Sequence, residues 1–224
     1  MNEMIFPEQT PFGTDSFAEN PSPRCACLLL LDTSGSMSGK PIEELNAGLA
    51  GLKKELAHDS LAMKMVEIAV ISFGPVTIEN TFQTAQNFFP PNLSANGDTP
   101  MGAAIKQGIE LVRQRKDDYK SNGISYFRPW IFLITDGGPT DEWQSAARQV
   151  HEGEDKGAFA FFAVGVAGAN MNALRQISVR EPLKLEGLKF RELFQWLSNS
   201  MKDVSQSIPG AAVPIKSPKG WAEV

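Results

Sequence analysis

The chain alternates between short apolar runs and longer segments with helical periodicity. Residues 24–31 are apolar almost throughout, which is typical of a strand buried on both faces of a parallel sheet. Further strands are predicted at 64–73, 76–82, 130–135, 159–166 and 183–185. Apolar residues recur every three or four positions in the segments between them, and this spacing predicts helices at 42–57, 99–115, 142–154, 171–178 and 189–207.

This alternation predicts one α/β domain with a Rossmann-like, doubly wound, mostly parallel sheet flanked by helices. Only Gly74 and Pro75 separate the second and third strands, and because this connection is too short for a crossover we expect an antiparallel hairpin at one edge. The predicted domain covers residues 24–207. Residues 1–23 and 208–224 contain several prolines and are predicted to be an N-terminal arm and a C-terminal tail.

Composition narrows the possible functions. The 224 residues carry a formal net charge of −5, which disfavours a general binder of nucleic acids or anionic membranes. Residues 1–20 lack the basic and apolar regions of a signal peptide, and no apolar run reaches about 18 residues, so we expect a cytoplasmic protein. Cys25 and Cys27 lie in an apolar run, and we expect two buried small side chains rather than a redox or metal pair.

Polar loops follow the first and fourth predicted strands and begin the second predicted helix, at the edge of the sheet where ligands bind in doubly wound folds. Their oxygen-bearing side chains are Asp32, Ser34, Ser36, Thr99 and Asp136. In an extended loop the first three point to the same side. All five are hard oxygen ligands, which select Mg²⁺, Mn²⁺ or Ca²⁺ over zinc or copper.

The charge of this set indicates what a bound ion would do. Asp32 and Asp136 only just neutralise a divalent ion, and the other three groups are neutral hydroxyls. An ion held in this way keeps one or more waters, and a carboxylate of another protein could replace one of them. The metal would then bridge two proteins.

The three loops together resemble the metal-ion-dependent adhesion site of a von Willebrand factor A domain, and the resemblance covers about residues 24–207. Residues 31–46, 89–91 and 132–143 are in addition similar to the bacterial TerY-type tellurium-resistance A domains. The resemblance implies the strand order 3-2-1-4-5-6 with one antiparallel edge strand. It also implies a setting in stress or defence, with a protein kinase or a PP2C-type phosphatase as partner.

The same resemblance implies a role for each site residue. The hydroxyls of Ser34, Ser36 and Thr99 would ligate the metal directly, whereas Asp32 and Asp136 would ligate it directly or through water. An Asp or Glu of a protein partner would complete the octahedron.

Other interpretations of the loops are open. The Asp32 loop alone could be a helix-capping turn, the site could serve a hydrolase in which Mg²⁺ polarises a phosphoryl group, or the metal could be purely structural. We expect no enzyme, because the chain has no Gly-x-Ser-x-Gly elbow, no convincing general base and no second metal site. Residues 35–40 are no Walker loop, since three residues instead of four separate the glycines and Pro41 follows Lys40.

Four neighbouring residues are predicted to have supporting roles. Asp98 and Asp141 are expected to cap the helices that follow them, with hydrogen bonding to metal-bound water as the alternative. Trp143 is expected to pack at the start of a helix, with a role as an exposed partner anchor as the alternative. Met37, in the first loop, is a candidate partner contact.

Overall fold

The computed structural model of the chain describes residues 17, 19–210, 218 and 221–223. Its strands are β1 (Cys25–Asp32), β2 (Val66–Phe73), β3 (Val76–Thr84), β4 (Trp130–Thr135), β5 (Ala160–Gly165), β6 (Leu183–Leu185) and β7 (Ala222–Glu223). Its α-helices are α1 (Lys40–Leu56), α2 (Ser60–Met65), α3 (Met101–Ser121), α4 (Gln144–Asp155), α5 (Met171–Ile177) and α6 (Phe190–Ser205). A single 3-10 turn, Gly35–Met37, lies between β1 and α1.

The strands form one sheet in the order β3-β2-β1-β4-β5-β6-β7. The predicted order 3-2-1-4-5-6 is confirmed, and β3 pairs antiparallel with β2 as the short connection required. A second antiparallel edge was not predicted: β7, in the segment interpreted as a tail, pairs with β6. Trp221 immediately before β7 is buried, and its ring centroid lies 5.2 Å from that of Trp196 on α6.

The central strand β1 is buried along its whole length because helices cover both faces of the sheet. One face packs against α1, α2 and α6 through Cys25, Cys27, Leu29 and Leu31, and the other packs against α3, α4 and α5 through Ala26, Leu28 and Leu30. Both cysteines are buried and form no disulfide, in agreement with the sequence prediction. Alternating side chains of one strand thus serve two cores.

The strand predicted at 64–73 begins two residues later, at Val66, because a short helix precedes it. In this helix, α2, the Oδ1 atom of Asp59 accepts hydrogen bonds from the backbone amides of Leu61 and Ala62, both at 2.9 Å. The Asp-Ser pair at 59–60 is an N-cap signal. The helix was not predicted because its apolar residues continue without a break into those of β2.

The predicted arm, residues 1–23, and the predicted tail, residues 208–224, lie partly outside the described residues. Within the arm, Phe17 is buried and its ring centroid is 5.9 Å from that of Tyr119 at the end of α3. None of the helices in the described part of the chain is long and apolar enough to cross a membrane.

Candidate metal centre

Parallel pairing brings two of the predicted loops together. β1 and β4 are neighbours, with Leu31 opposite Ile134, so the next residues of the two strands, Asp32 and Thr135, lie side by side at the carboxyl edge of the sheet. The third loop joins them through a hydrogen bond of 3.0 Å from the Gly35 amide to the Gly97 carbonyl. The fold therefore assembles the three polar loops at one place.

Asp32 is the buried carboxylate of the site. Its Oδ1 accepts a hydrogen bond of 2.8 Å from the Ser34 amide, and its Oδ2 accepts one of 2.5 Å from the Thr135 hydroxyl. Burial raises the pKa of Asp32, while the hydrogen bonds from Ser34 and Thr135 act in the opposite direction and the charge of Asp136 adds to the increase. A buried carboxylate of this kind is stabilised in its charged form when a cation lies beside it.

A chain of hydroxyl and carboxylate oxygens continues from the first loop to the second. The Oγ atoms of Ser34 and Ser36 are 3.0 Å apart, and Ser36 Oγ donates a hydrogen bond of 2.7 Å to Oδ1 of Asp136. Ser34 is buried, whereas Ser36 is exposed and Asp136 is half-buried. The extended conformation predicted for this loop is wrong, since residues 35–37 form a 3-10 turn, but the two serine hydroxyls still face each other.

The donor set consists of hard oxygens, which suit a divalent ion such as Mg²⁺, Mn²⁺ or Ca²⁺. The oxygens of Ser34, Ser36 and Asp136 are already neighbours, at 3.0 Å and 2.7 Å, so little movement would bring them around one ion. The described residues contain no cluster of three or more His, Cys, Asp or Glu side chains, so any metal here depends on hydroxyl ligands.

Thr99 is positioned by backbone contacts with the loop after β4. Its amide donates a hydrogen bond of 3.1 Å to the Thr140 hydroxyl, and the Thr140 amide donates one of 3.0 Å to the Thr99 carbonyl. The hydroxyl of Thr99 would lie 3.5 Å from a Cβ atom placed on Gly137, so it is next to the residue after Asp136. No side-chain hydrogen bond in the described part of the chain joins Thr99 to the other four residues.

The two additional acids do not cap the helices that were expected. Asp141 accepts hydrogen bonds from the amides of Gly102 and Ala103, at 2.9 and 2.8 Å, and so it caps α3 and not the following helix α4. Asp98, which was expected to cap α3, is exposed, and its side chain makes no hydrogen bond or ion pair with another described residue. A residue distant in sequence therefore supplies the cap, which local sequence patterns do not reveal.

The two candidate contact residues have different outcomes, since Trp143 packs at a helix start as expected and Met37 does not lie at the surface. Met37 is fully buried in the core beneath α1, because the 3-10 turn directs its side chain inward, so the interpretation as a partner contact is wrong for this conformation. Trp143 is half-buried and packs against the core on the α3 side of the sheet. Gly102 allows this approach, since a Cβ there would lie 2.3 Å from the Glu142 carbonyl oxygen.

Thr135 and Thr140 belong to the site although the sequence interpretation did not include them. Thr135 Oγ1 donates to Asp32 and accepts a hydrogen bond of 3.1 Å from the Gly137 amide, so it holds both loops in position. The signal was a hydroxyl residue that ends an apolar strand directly beside Asp32. Thr140 joins the Thr99 loop to the Asp136 loop, and nothing in its local sequence marks that contact.

The fold and the site together define a doubly wound α/β domain with an oxygen-rich loop cluster at the carboxyl edge of its sheet. Residues 28–187 match the von Willebrand factor type A domain, and the chain belongs to this family. Domains of this family commonly act as metal-dependent adhesion or protein-interaction modules.

Individual relatives are more distant. Over 117 residues the chain is 32% identical to the uncharacterized protein sll0103 of Synechocystis sp., a match that covers 49% of this chain and 24% of that protein. The chain thus spans about a quarter of the length of this curated relative.

Solved structures agree in fold. The vWF domain of the type V pili tip protein Mfa5 from Porphyromonas gingivalis has a TM-score of 0.61 at 11% identity, covering 85% of this chain and 99% of that one. The pilus adhesin SpaC from Lactobacillus rhamnosus GG, in its open conformation, has a TM-score of 0.65 at 12% identity, covering 83% and 31%. Proximal thread matrix protein 1 from the mussel byssus has a TM-score of 0.55 at 18% identity, covering 81% and 49%.

Proposed function

We propose that this chain is a metal-dependent protein-binding module. The observation that carries the proposal is the series of oxygens from buried Asp32 through Ser34 and Ser36 to Asp136, which reaches the surface at the exposed Ser36. Asp32, Ser34, Ser36, Thr99 and Asp136 would hold a divalent cation. Its hard oxygen ligands suit Mg²⁺, with Mn²⁺ or Ca²⁺ as other candidates.

The proposed partner group is the carboxylate of an Asp or Glu side chain. Two carboxylates and three hydroxyls leave a divalent ion with exchangeable coordination positions, and the ion supplies there a positive charge that attracts an acidic group. Ser36 is exposed and Asp136 is half-buried, so this side of the cluster is accessible to another protein. Asp32 and Thr135 lie beneath and keep the loops in place.

We do not propose an enzyme. Residues 32–39, 97–100 and 135–141 contain no His, Cys, Lys or Tyr, so any general base in these loops would have to be a carboxylate. The ion would use Asp32 and Asp136, which leaves the exposed Asp98 and the helix cap Asp141. The contacts of Asp141 with the amides of α3 leave it unsuited to proton transfer.

The proposed biological setting follows the similarity of residues 31–46, 89–91 and 132–143 to TerY-type A domains. In that setting the module works in the cytoplasm during tellurite or another stress, and its partner is a protein kinase or a PP2C-type phosphatase. These two proteins are therefore the first candidates for binding measurements.

The proposal is tested first by metal binding. Calorimetric titration of chelator-treated protein with MgCl₂, MnCl₂ and CaCl₂ compares the unmodified chain with Asp32→Asn. Asp98→Asn is the matched control, because Asp98 is exposed and its side chain forms no hydrogen bond or ion pair with another described residue. We expect Asp32→Asn to lower the affinity for Mg²⁺ at least about tenfold, since losing even an outer-shell partner costs metal sites about 10–100-fold. Equal affinities in all three proteins would show that the site is misassigned.

The second test is partner binding with and without chelator. Protein kinases and PP2C-type phosphatases from the source genome are titrated against the immobilised chain, and we expect binding that requires Mg²⁺ and disappears in Asp32→Asn. Metal binding that raises the melting temperature without changing partner affinity would support a purely structural metal. Phosphatase turnover that requires both Mg²⁺ and Asp32 would instead support a hydrolase.

A further inference from the structure

A second candidate binding site lies at the opposite end of the sheet from the metal loops. A cavity of about 370 Å³ opens between the carboxyl-terminal halves of α3 and α4, above the start of β5. Small-molecule sites in proteins occupy about 300–1,000 Å³. The metal loops, by contrast, follow the carboxyl ends of β1 and β4, so the two places are separate.

The floor of the cavity is apolar. It is formed by Ile109 and Val112 on α3 and by Ala158 and Phe159 before β5. The Phe159 ring can lie against α4 only because residue 153 is glycine, since a Cβ there would be 2.2 Å from the ring. A flat or aliphatic group could therefore be buried on this floor.

The border of the cavity is charged and carries more positive than negative groups. Four cations and two carboxylates line it: Arg113, Lys116, Lys120, Lys156, Asp117 and Glu152. Asp117 lies between two of the cations, 3.3 Å from Arg113 and 3.4 Å from Lys120, and Glu152 pairs with Lys156 at 3.6 Å.

Lys116 is the lining cation without a carboxylate partner among the described residues. It is half-buried, and its Nζ donates a hydrogen bond of 3.0 Å to the Ala158 carbonyl at the floor. Burial lowers the pKa of Lys116, the positive charges of Lys120 and Arg128 lower it further, and Asp117 opposes this only in part. The surroundings of this ammonium group therefore favour an additional negative charge.

We infer that this cavity binds a small amphiphilic anion, a carboxylate, sulfonate or phosphate on an aromatic or short acyl body. The acidic group would pair with Lys116, and the apolar body would cover Val112 and Phe159. An uncharged molecule of the same shape would bury the same apolar area but lack the ionic contact. Removing the charge of Lys116 should therefore weaken binding of the anion, whereas removing the charge of a lysine on the other face of the sheet should not.

The test uses the aromatic sulfonate anilinonaphthalenesulfonate and the uncharged N-phenylnaphthylamine as fluorescent probes of the full chain. Lys116→Met keeps an apolar stem and removes the charge. Lys54→Met is the matched control, because Lys54 is exposed on α1 at the other face of the sheet. Circular dichroism verifies that each variant is folded.

We expect one saturable site for the sulfonate on each chain. Lys116→Met should raise its Kd at least fivefold and change the Kd of the uncharged probe less than twofold, while Lys54→Met should leave both unchanged. Ala158→Leu, which fills the floor, should weaken both probes at least fivefold. An unchanged sulfonate Kd in Lys116→Met, unaffected binding in Ala158→Leu, or the absence of a saturable site would each overturn the inference.

Discussion

Ser36 on the loop after β1 donates a hydrogen bond of 2.7 Å to Asp136, a residue 100 positions later that follows β4. The backbone pairing of β1 with β4 ends at Leu31 and Ile134, so beyond that point this side-chain contact joins the two loops. Because Ser36 is exposed, the junction is at the protein surface, where the proposed metal ion and partner would have access to it. The geometry of each loop therefore depends on the other.

The serine hydroxyls of this loop should differ in importance. Replacing Ser36 by Ala removes an oxygen from the proposed coordination sphere and also the hydrogen bond to Asp136, so we expect the affinity for Mg²⁺ to fall at least about tenfold. Ser38→Ala is the matched control, since Ser38 is exposed on the same loop and no side-chain hydrogen bond joins it to another described residue. Calorimetric titration measures both, and equal affinities would contradict the assignment of Ser36.

Asp141 should stabilise the protein by capping α3, a helix that begins about 40 residues before it in the sequence. Asp141→Ala leaves the amides of Gly102 and Ala103 without their acceptor, and loss of an N-cap costs about 1 kcal/mol, up to about 2 kcal/mol. Asp98→Ala removes an exposed carboxylate close to the same helix end and should change the free energy of unfolding by less than about 0.5 kcal/mol. Urea denaturation compares the two variants, and equal losses would show that the cap does not stabilise α3.

Most of the fold follows from hydrophobic patterning, because buried parallel strands and amphipathic helices have clear periods. The strands Trp130–Thr135 and Leu183–Leu185 begin and end at their predicted residues. The helix α2 and the strand β7 were not predicted, since a six-residue helix merges with the next apolar run and a two-residue strand has no period.

The candidate site was predictable as a set of loops but not in its contacts. Strand adjacency brings Asp32 beside the Asp136 loop, and this follows from the sheet order. The burial of Met37 depends on a 3-10 turn that places it in the core, and the cap of Asp141 on α3 joins residues about 40 positions apart. Such tertiary contacts leave no periodic signal in the sequence.

Glu67 is the centre of a buried ionic cluster that should be essential for stability. Its carboxylate accepts hydrogen bonds of 3.0 Å from Arg24 Nε, 2.8 Å from Arg115 Nε and 2.5 Å from the Tyr119 hydroxyl. Glu67→Gln removes the carboxylate shared by two guanidinium groups, of which Arg115 keeps only the more distant Asp118 at 3.6 Å, and breaking a buried pair in this way costs about 3–5 kcal/mol.

The matched control for Glu67 is an exposed pair. Glu181 accepts a hydrogen bond of 2.8 Å from Arg175, and both side chains are more than half exposed. Glu181→Gln should therefore change the free energy of unfolding by at most about 1 kcal/mol. Denaturation of both variants in urea measures the difference, and a loss for Glu67→Gln no larger than for Glu181→Gln would contradict a stabilising role of the cluster.

The buried thiols should make the protein less stable in alkali. Burial, assisted by the negative charge of Glu67, raises the pKa of Cys25 from 9.0 to about 12, and burial likewise raises the pKa of Cys27. Between pH 9 and 12 the unfolded chain has therefore lost a Cys25 proton that the folded chain retains. Unfolding then releases a proton, so the free energy of unfolding decreases with rising pH by up to about 1.4 kcal/mol per pH unit for this thiol.

Cys25→Ala isolates this contribution, because Tyr119, whose pKa burial also raises, titrates in both proteins. Urea denaturation at pH 8, 9, 10 and 11 should show the unmodified chain losing stability more steeply than Cys25→Ala above pH 9, with parallel behaviour below it. Parallel curves over the whole range would mean that the folded thiol ionises as readily as the unfolded one.

Burial should also protect both cysteines from iodoacetamide at pH 8 in the native protein, since the reactive species is the thiolate and neither thiol is accessible in β1. Unfolding in urea should expose both cysteines to the reagent.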